Sequence, residues 1–229
     1  MMRGIFLFGV FIYSFLPLCS QTDTLVFEKK TIFSEREFLN SAKASSALFL
    51  TGLCAINFDK DVRRFRNDKF LSFHQTYDNY LLLAPLGLMY GMKSFGYNSQ
   101  STWTEILILS SASLIIKEII VYPTKIIIAR ERPDGSEHNS FPSGHTATAF
   151  ACAHLLHREY GELSPWISVA GYSIAGITGM TRVLNNRHWL SDVLFGAGIG
   201  ILSTELGYMV KGWVCKKKTK RMLILNQAL

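Results

Sequence analysis

The chain alternates long uncharged runs with short, densely polar stretches, and the runs are too continuous for surface helices with one wet face. Leu163 to Thr181 carries no charge over 19 residues, Val193 to Val210 is interrupted only by Glu205, and Ile106 to Tyr122 only by Lys117-Glu118. Asn79 to Tyr97 predicts another crossing, with Lys93 reaching for the interface near Tyr90, Phe95 and Tyr97. Thr146 to His157 is a further uncharged run. At ~1.5 Å per residue the longer runs approach the ~30 Å of a hydrocarbon core, whereas the 15 residues from Ala44 to Phe58 reach about 22 Å, a length that leaves their crossing open. Asp59-Lys60-Asp61 closes that segment. The pattern predicts an all-α, integral-membrane protein with five or six transmembrane helices. Lys117-Glu118 and Glu205 are expected to face protein rather than lipid.

Four regions follow from the same pattern. Residues 1–20 have the layout of a signal peptide or signal anchor, with Arg3 ahead of an apolar core from Ile5 to Leu18. Residues 21–78 form a polar amino-terminal region containing the short apolar segment, and 79–213 form the membrane domain. Residues 214–229 are a basic tail, expected in the cytoplasm.

Composition agrees with a membrane protein: 48% hydrophobic, 13% aromatic and only 18% charged residues. The +7 net charge does not indicate nucleic-acid binding, because much of the excess gathers in Lys211, Lys216, Lys217, Lys218, Lys220 and Arg221. Cys19, Cys54, Cys152 and Cys215 are scattered without paired or metal-like spacing. His154 and His157, three apart, lack a third ligand nearby and are expected to pack. The pattern is silent on oligomeric state.

Candidate chemistry lies between Lys125 and Asp192. Lys125, Arg132 and Arg182 are three cations in a largely apolar region, where unpaired charge is costly and marks function. Arginine forks match two phosphate oxygens each, and lysine acts as a point charge. Ser143-Gly144 precedes an uncharged run and predicts a helix start, whose free amides and positive dipole end suit an anion. Asp192 follows His188 by four residues, which on a helix places both on one face, the carboxylate orienting the imidazole as a nucleophile. His145 is left as general acid. No metal is required, since three fixed cations supply the neutralisation that magnesium supplies elsewhere.

The spaced clusters Lys125 with Arg132-Pro133, Pro142-Ser143-Gly144-His145, and Arg182 with His188 and Asp192 resemble the type 2 phosphatidic acid phosphatase and vanadium haloperoxidase superfamily. The resemblance spans roughly Glu105 to Glu205 and implies an integral-membrane helical bundle whose motif-bearing ends converge on one membrane face. Thr181 stands where that family usually has serine. The resemblance implies a membrane-bound lipid phosphatase that hydrolyses a phosphate monoester or pyrophosphate through a phosphohistidine, with no cofactor and a phosphorylated lipid as partner. Undecaprenyl pyrophosphate, a lipid A phosphate, phosphatidic acid and phosphatidylglycerol phosphate all fit these residues. A vanadium-dependent haloperoxidase and a non-enzymatic lipid-binding or transport protein are the alternatives. A multi-pass protein of a bacterial inner membrane, with its site facing the periplasm, is the expected setting.

Overall fold

The computed structural model describes residues 34–227, with side chains through 213; the expected signal region at 1–20 lies outside the described residues. Among the described residues the secondary structure is entirely helical. The helices are α1 (Glu35–Ala55), α2 (Asp59–Lys69), α3 (Asp78–Leu81), α4 (Ala84–Ser94), α5 (Trp103–Ile128), α6 (Gly144–Tyr160), α7 (Pro165–Leu184) and α8 (Leu190–Gln227), with a 3₁₀ turn at Ile56–Phe58.

Local chemistry sets the boundaries. Thr102 and Glu105 form a reciprocal capping box at the start of α5. Ser34 and Ser164 cap α1 and α7 through their hydroxyls. Helix α2 carries Asp59 and Asp61 in its first turn and Arg66 and Lys69 in its last, complementing its dipole. Helix α6 is the centre of the bundle and packs against α3, α4, α5, α7 and α8. Its Ala147, Ala149, Ala151 and Ala153 are buried, and small side chains let neighbouring backbones come close. Glycines of α8 complete that approach: a Cβ at Gly196 would lie 2.6 Å from the Ser143 carbonyl oxygen. Met89, Ile106, Leu109, Leu155, Leu156, Tyr160 and Tyr208 fill the core farther from that end.

Two expectations about the spans need correction. Asn79 to Tyr97 is not one helix but α3 and α4, separated at Leu82-Leu83, because Pro85 in the first turn of α4 cannot donate to a preceding turn. The apolar segment from Ala44 is the second half of a longer helix, 21 residues or about 31 Å, since Glu35 to Lys43 extends it. One end of α1 holds Glu37, paired with Arg158 at 2.8 Å, and its other end leads to Asp59, paired with Arg130 at 2.7 Å. Helix α1 therefore runs the length of the bundle.

Trp103–Ile128 and Leu190–Trp213 are each long and apolar enough to cross a bilayer. Large apolar side chains point outward from several helices, among them Leu50, Leu53, Ile119, Ile127, Trp166 and Ile177. Lys117 is buried as expected, but its partner Glu118 keeps 63% of its side chain exposed, so only half of that pair faces protein. Glu205 is fully buried, held by Arg158 and His154 at 2.7 Å each. His154 also meets the Tyr172 hydroxyl, and His157 meets Ser168.

Candidate active site

Helices α5 and α7 end, and α6 and α8 begin, at one end of the bundle, and this alternation gathers the three sequence clusters. The Lys125 ammonium donates to the Asn139 carbonyl, and its Cε would lie 3.9 Å from a Cβ placed on Gly144. The Ser143 amide donates to the Asp192 carbonyl at 3.0 Å, joining the second cluster to the third. Lys125 feels the charges of Arg132, Arg182 and Asp192. The loop 129–143 completes the enclosure after Ala129, in the left-handed region at φ 45°, ends α5.

Ser143 is the N-cap of α6, and its hydroxyl bonds Thr146 rather than a helix amide. The first-turn amides are left to an incoming anion. Arg132 and Arg182 each bury an Nε with no partner, while their other nitrogens are anchored, Arg132 to Glu137 at 3.0 Å and Arg182 to Asp78 at 2.7 Å. An anchored guanidinium with a free edge is prepared for a bidentate oxyanion. A cavity of about 230 Å³ opens beside Lys125, walled by Tyr122, Ile126, Ala129, His138 and Asn139.

The nucleophile geometry differs from the expectation. His188 precedes α8 and is not on a helix, so the spacing of four does not by itself align it with Asp192. The His188 Nδ1 bonds the Ser140 carbonyl at 2.7 Å, whereas the Asp192 carboxylate stands 3.8 Å from it. A carbonyl accepts only, so Nδ1 carries the proton and Nε2 is left with its lone pair. Burial pushes the imidazole down to about 4; Asp192 opposes this, while Lys125 and Arg182 add to it. The ring is thus neutral near pH 7. Asp192 acts one step back: it accepts from the Ser140 hydroxyl and from the Trp189 amide at 2.9 Å.

Sequence reasoning missed the groups that hold this arrangement. Arg130 donates through Nη1 to Asp192 Oδ1 and Ser191 Oγ, and through Nη2 to Asp59 Oδ2, each at 2.7 Å. Asp59 also accepts from the Ser191 amide at 3.0 Å and hydroxyl at 2.6 Å. Asp59 had marked only the end of an apolar run, and nothing local ties it to Arg130, 71 residues later. Ser140, Asp78 and Asn79 were equally silent.

A sequence profile of the PAP2 superfamily matches residues 134–214, beginning just after Arg132-Pro133. Phosphatidylglycerophosphatase B of Bacillus subtilis is 33% identical over 155 residues, which are 61% of this chain and 70% of that one. The chain belongs to the PAP2 superfamily. Lipid A 1-phosphatase of Porphyromonas gingivalis is 42% identical over 189 residues, covering 82% of this chain. The match takes in only 42% of that relative, so this PAP2 chain spans less than half of its length. Aquifex aeolicus LpxE superposes with a TM-score of 0.50 at 21% identity over 66% of this chain and 94% of its own. A transmembrane PAP2 type phosphatidylglycerolphosphate phosphatase from B. subtilis gives 0.51 at 24% identity, over 75% and 96%. The PAP2 fold therefore gives the helices that the hydrophobic pattern predicts the bundle arrangement that the resemblance implies.

Proposed function

We propose that this PAP2 protein removes a phosphate from a membrane lipid through a phosphohistidine on His188. One observation carries the reading: a buried, neutral imidazole whose Nδ1 is occupied, leaving Nε2 free within the field of Lys125 and Arg182. In the first step Nε2 attacks phosphorus, the bond from phosphorus to the lipid oxygen breaks, and His145 gives its proton to that oxygen. In the second step water attacks phosphorus, His145 takes the water's proton, and the His188–phosphorus bond breaks to release inorganic phosphate. Lys125, Arg132, Arg182 and the first-turn amides of α6 from Gly144 onward hold the charge spread over the phosphoryl oxygens, the Ser143 amide being held by the Asp192 carbonyl. Asp192 steadies His188 through Ser140. None of these roles needs a metal.

The site sits at the end of the bundle opposite Lys211 and the basic tail, whose placement in the cytoplasm follows the positive-inside tendency. A bacterial inner-membrane protein with its site toward the periplasm fits this arrangement, and its substrate is a lipid of the outer leaflet. The 42% identity to a lipid A 1-phosphatase favours a lipid A phosphate, with undecaprenyl pyrophosphate next. Because α1 runs from end to end, its amino-terminal end at Glu37 lies on the tail's side of the bundle, near Arg158 and Glu205. Reporter fusions after Asp68 and after Leu229 separate the two sides.

The test is phosphate release by purified protein from lipid A, undecaprenyl pyrophosphate, phosphatidic acid and phosphatidylglycerol phosphate in detergent micelles. Release from lipid A faster than from the glycerophospholipids, blocked by vanadate and unaffected by EDTA, is expected. Release from none of the four would overturn the reading.

A further inference from the structure

The segment 73–79, which runs into the first two residues of α3, lies along the ends of α2 and α7 through a series of specific bonds. The Phe73 carbonyl accepts from Arg66 Nη2 at 3.1 Å. The Gln75 amide donates to Asn185 Oδ1 at 2.9 Å, and Asn185 Nδ2 donates back to the Gln75 carbonyl at 2.7 Å. The Thr181 hydroxyl lies 3.3 Å from the Tyr77 hydroxyl. The segment then ends on two adjacent residues that each engage a different member of the site. Asp78 accepts from Arg182 Nη1 at 2.7 Å, and Asn79 Oδ1 lies 2.8 Å from His145 Nε2.

Resting on the phosphatase reading above, we infer that Asp78 and Asn79 are positioning residues, through which this strap sets Arg182 for the phosphate and His145 for the leaving oxygen. Neither belongs to the three motif clusters. The geometry defines distinct tasks. A guanidinium fixed at Nη1 cannot rotate away, and its Nε, buried and without a partner, remains for phosphate oxygen. Asp78 is 1% exposed, so its pair with Arg182 is shielded from bulk water. Asn79 offers an amide oxygen to the imidazole and holds the Nε2 proton, which leaves Nδ1–H of the imidazolium as the proton given to the lipid oxygen. The charged groups facing His145 are Arg182 of α7, Asp78 of the strap and Lys117 of α5, and the neutral, titratable His188 before α8 faces it too.

The tasks separate in kinetics. Asp78→Ala frees Arg182, so KM for lipid and the vanadate inhibition constant rise about tenfold or more, by analogy with losing one charge-assisted hydrogen bond. Asp78→Asn keeps an acceptor and recovers part of that loss. Asn79→Ala acts on kcat, with a fall of about tenfold as a loosely held acid loses part of its ~10²- to 10⁴-fold contribution. Asn79→Asp replaces the amide oxygen with a carboxylate, which favours the imidazolium, so the alkaline limb of kcat moves upward by roughly one pH unit.

The experiment measures kcat and KM from pH 5 to 10 for wild type, Asp78→Ala, Asp78→Asn, Asn79→Ala and Asn79→Asp, using whichever of the four lipids wild type hydrolyses fastest. Asn79 is exposed and Asp78→Asn preserves shape, so at least these variants fold. The expected result is a KM and vanadate effect from Asp78 and a kcat and pH-limb effect from Asn79. An alkaline limb in Asn79→Asp that superimposes on wild type, or unchanged vanadate inhibition in Asp78→Ala, overturns the inference while leaving the phosphatase reading intact. An inactive wild type removes the phosphatase reading itself.

Discussion

Replacing Arg130 with glutamine tests whether the charge relay behind the nucleophile is as interdependent as its geometry indicates. Arg130 bridges two carboxylates, Asp59 at 3% and Asp192 at 0% exposure, so its removal leaves both buried without their shared cation. Removing one partner of a buried pair costs about 3–5 kcal/mol. The Arg130 side chain keeps 25% exposure, so water reaches part of the gap and a value near the lower end, about 3 kcal/mol, is expected. On the scale of soluble domains of this size, that lowers the melting temperature by about 6–12 °C. Asp59→Asn alone removes one of the two negative charges and leaves Arg130 paired with Asp192. Combined with Arg130→Gln, it relieves one stranded carboxylate, so the double variant should be about 0.5–3 kcal/mol more stable than the sum of the single losses. The assay is thermal unfolding in detergent for the three variants, with kcat measured in parallel; Arg130→Gln should lose turnover because Asp192 no longer holds Ser140 and His188. Melting of Arg130→Gln within about 2 °C of wild type, or strict additivity in the double variant, would refute the relay.

Gly196→Ala should cost about 1–3 kcal/mol and reduce turnover, because its Cβ would press on the Ser143 carbonyl at 2.6 Å; Gly176→Ala, with nothing within 4 Å, should be silent in the same unfolding and activity assays. Glu205→Gln should lower stability by about 3 kcal/mol while leaving KM unchanged, since Glu205 holds Arg158 and His154 thirteen residues, or about 20 Å, along α8 from Asp192. For pH, the folded His188 sits at about 4, below its unfolded value of about 6.5, so the neutral ring's contribution is complete above pH 6.5 and is lost as pH falls toward 4. The melting curve of wild type should therefore drop more steeply than that of His188→Asn between pH 6.5 and 4; parallel curves would contradict the assignment.

What the sequence disclosed and what it hid divide along a physical line. Long uncharged runs reveal helices because burial in lipid leaves no wet face, and α5, α7 and α8 extend the predicted runs by only a few residues at their site ends. Lys125, Arg132, Arg182, His145 and His188 stood out because cations and histidines are costly in such surroundings. The supporting groups did not. Asp59, Asp78, Asn79 and Arg130 lie in polar stretches where any charge is at home, and their meaning comes from partners 62 to 104 residues distant. His188 illustrates the limit of spacing: four residues suggested a shared helical face, yet α8 begins at Leu190 and the ring donates its hydrogen bond to a loop carbonyl.

The central claim is that His188 carries the phosphoryl group, and trapping that intermediate tests it most directly. Purified protein is mixed with ³²P-labelled lipid A phosphate, quenched in base within the first turnover, and the protein-bound label is counted and then treated with acid. Wild type should retain a base-stable, acid-labile label, His145→Ala should accumulate and lose it more slowly, and His188→Ala should retain none. Label of equal amount on His188→Ala, or turnover by wild type with no label at any time, would contradict the account.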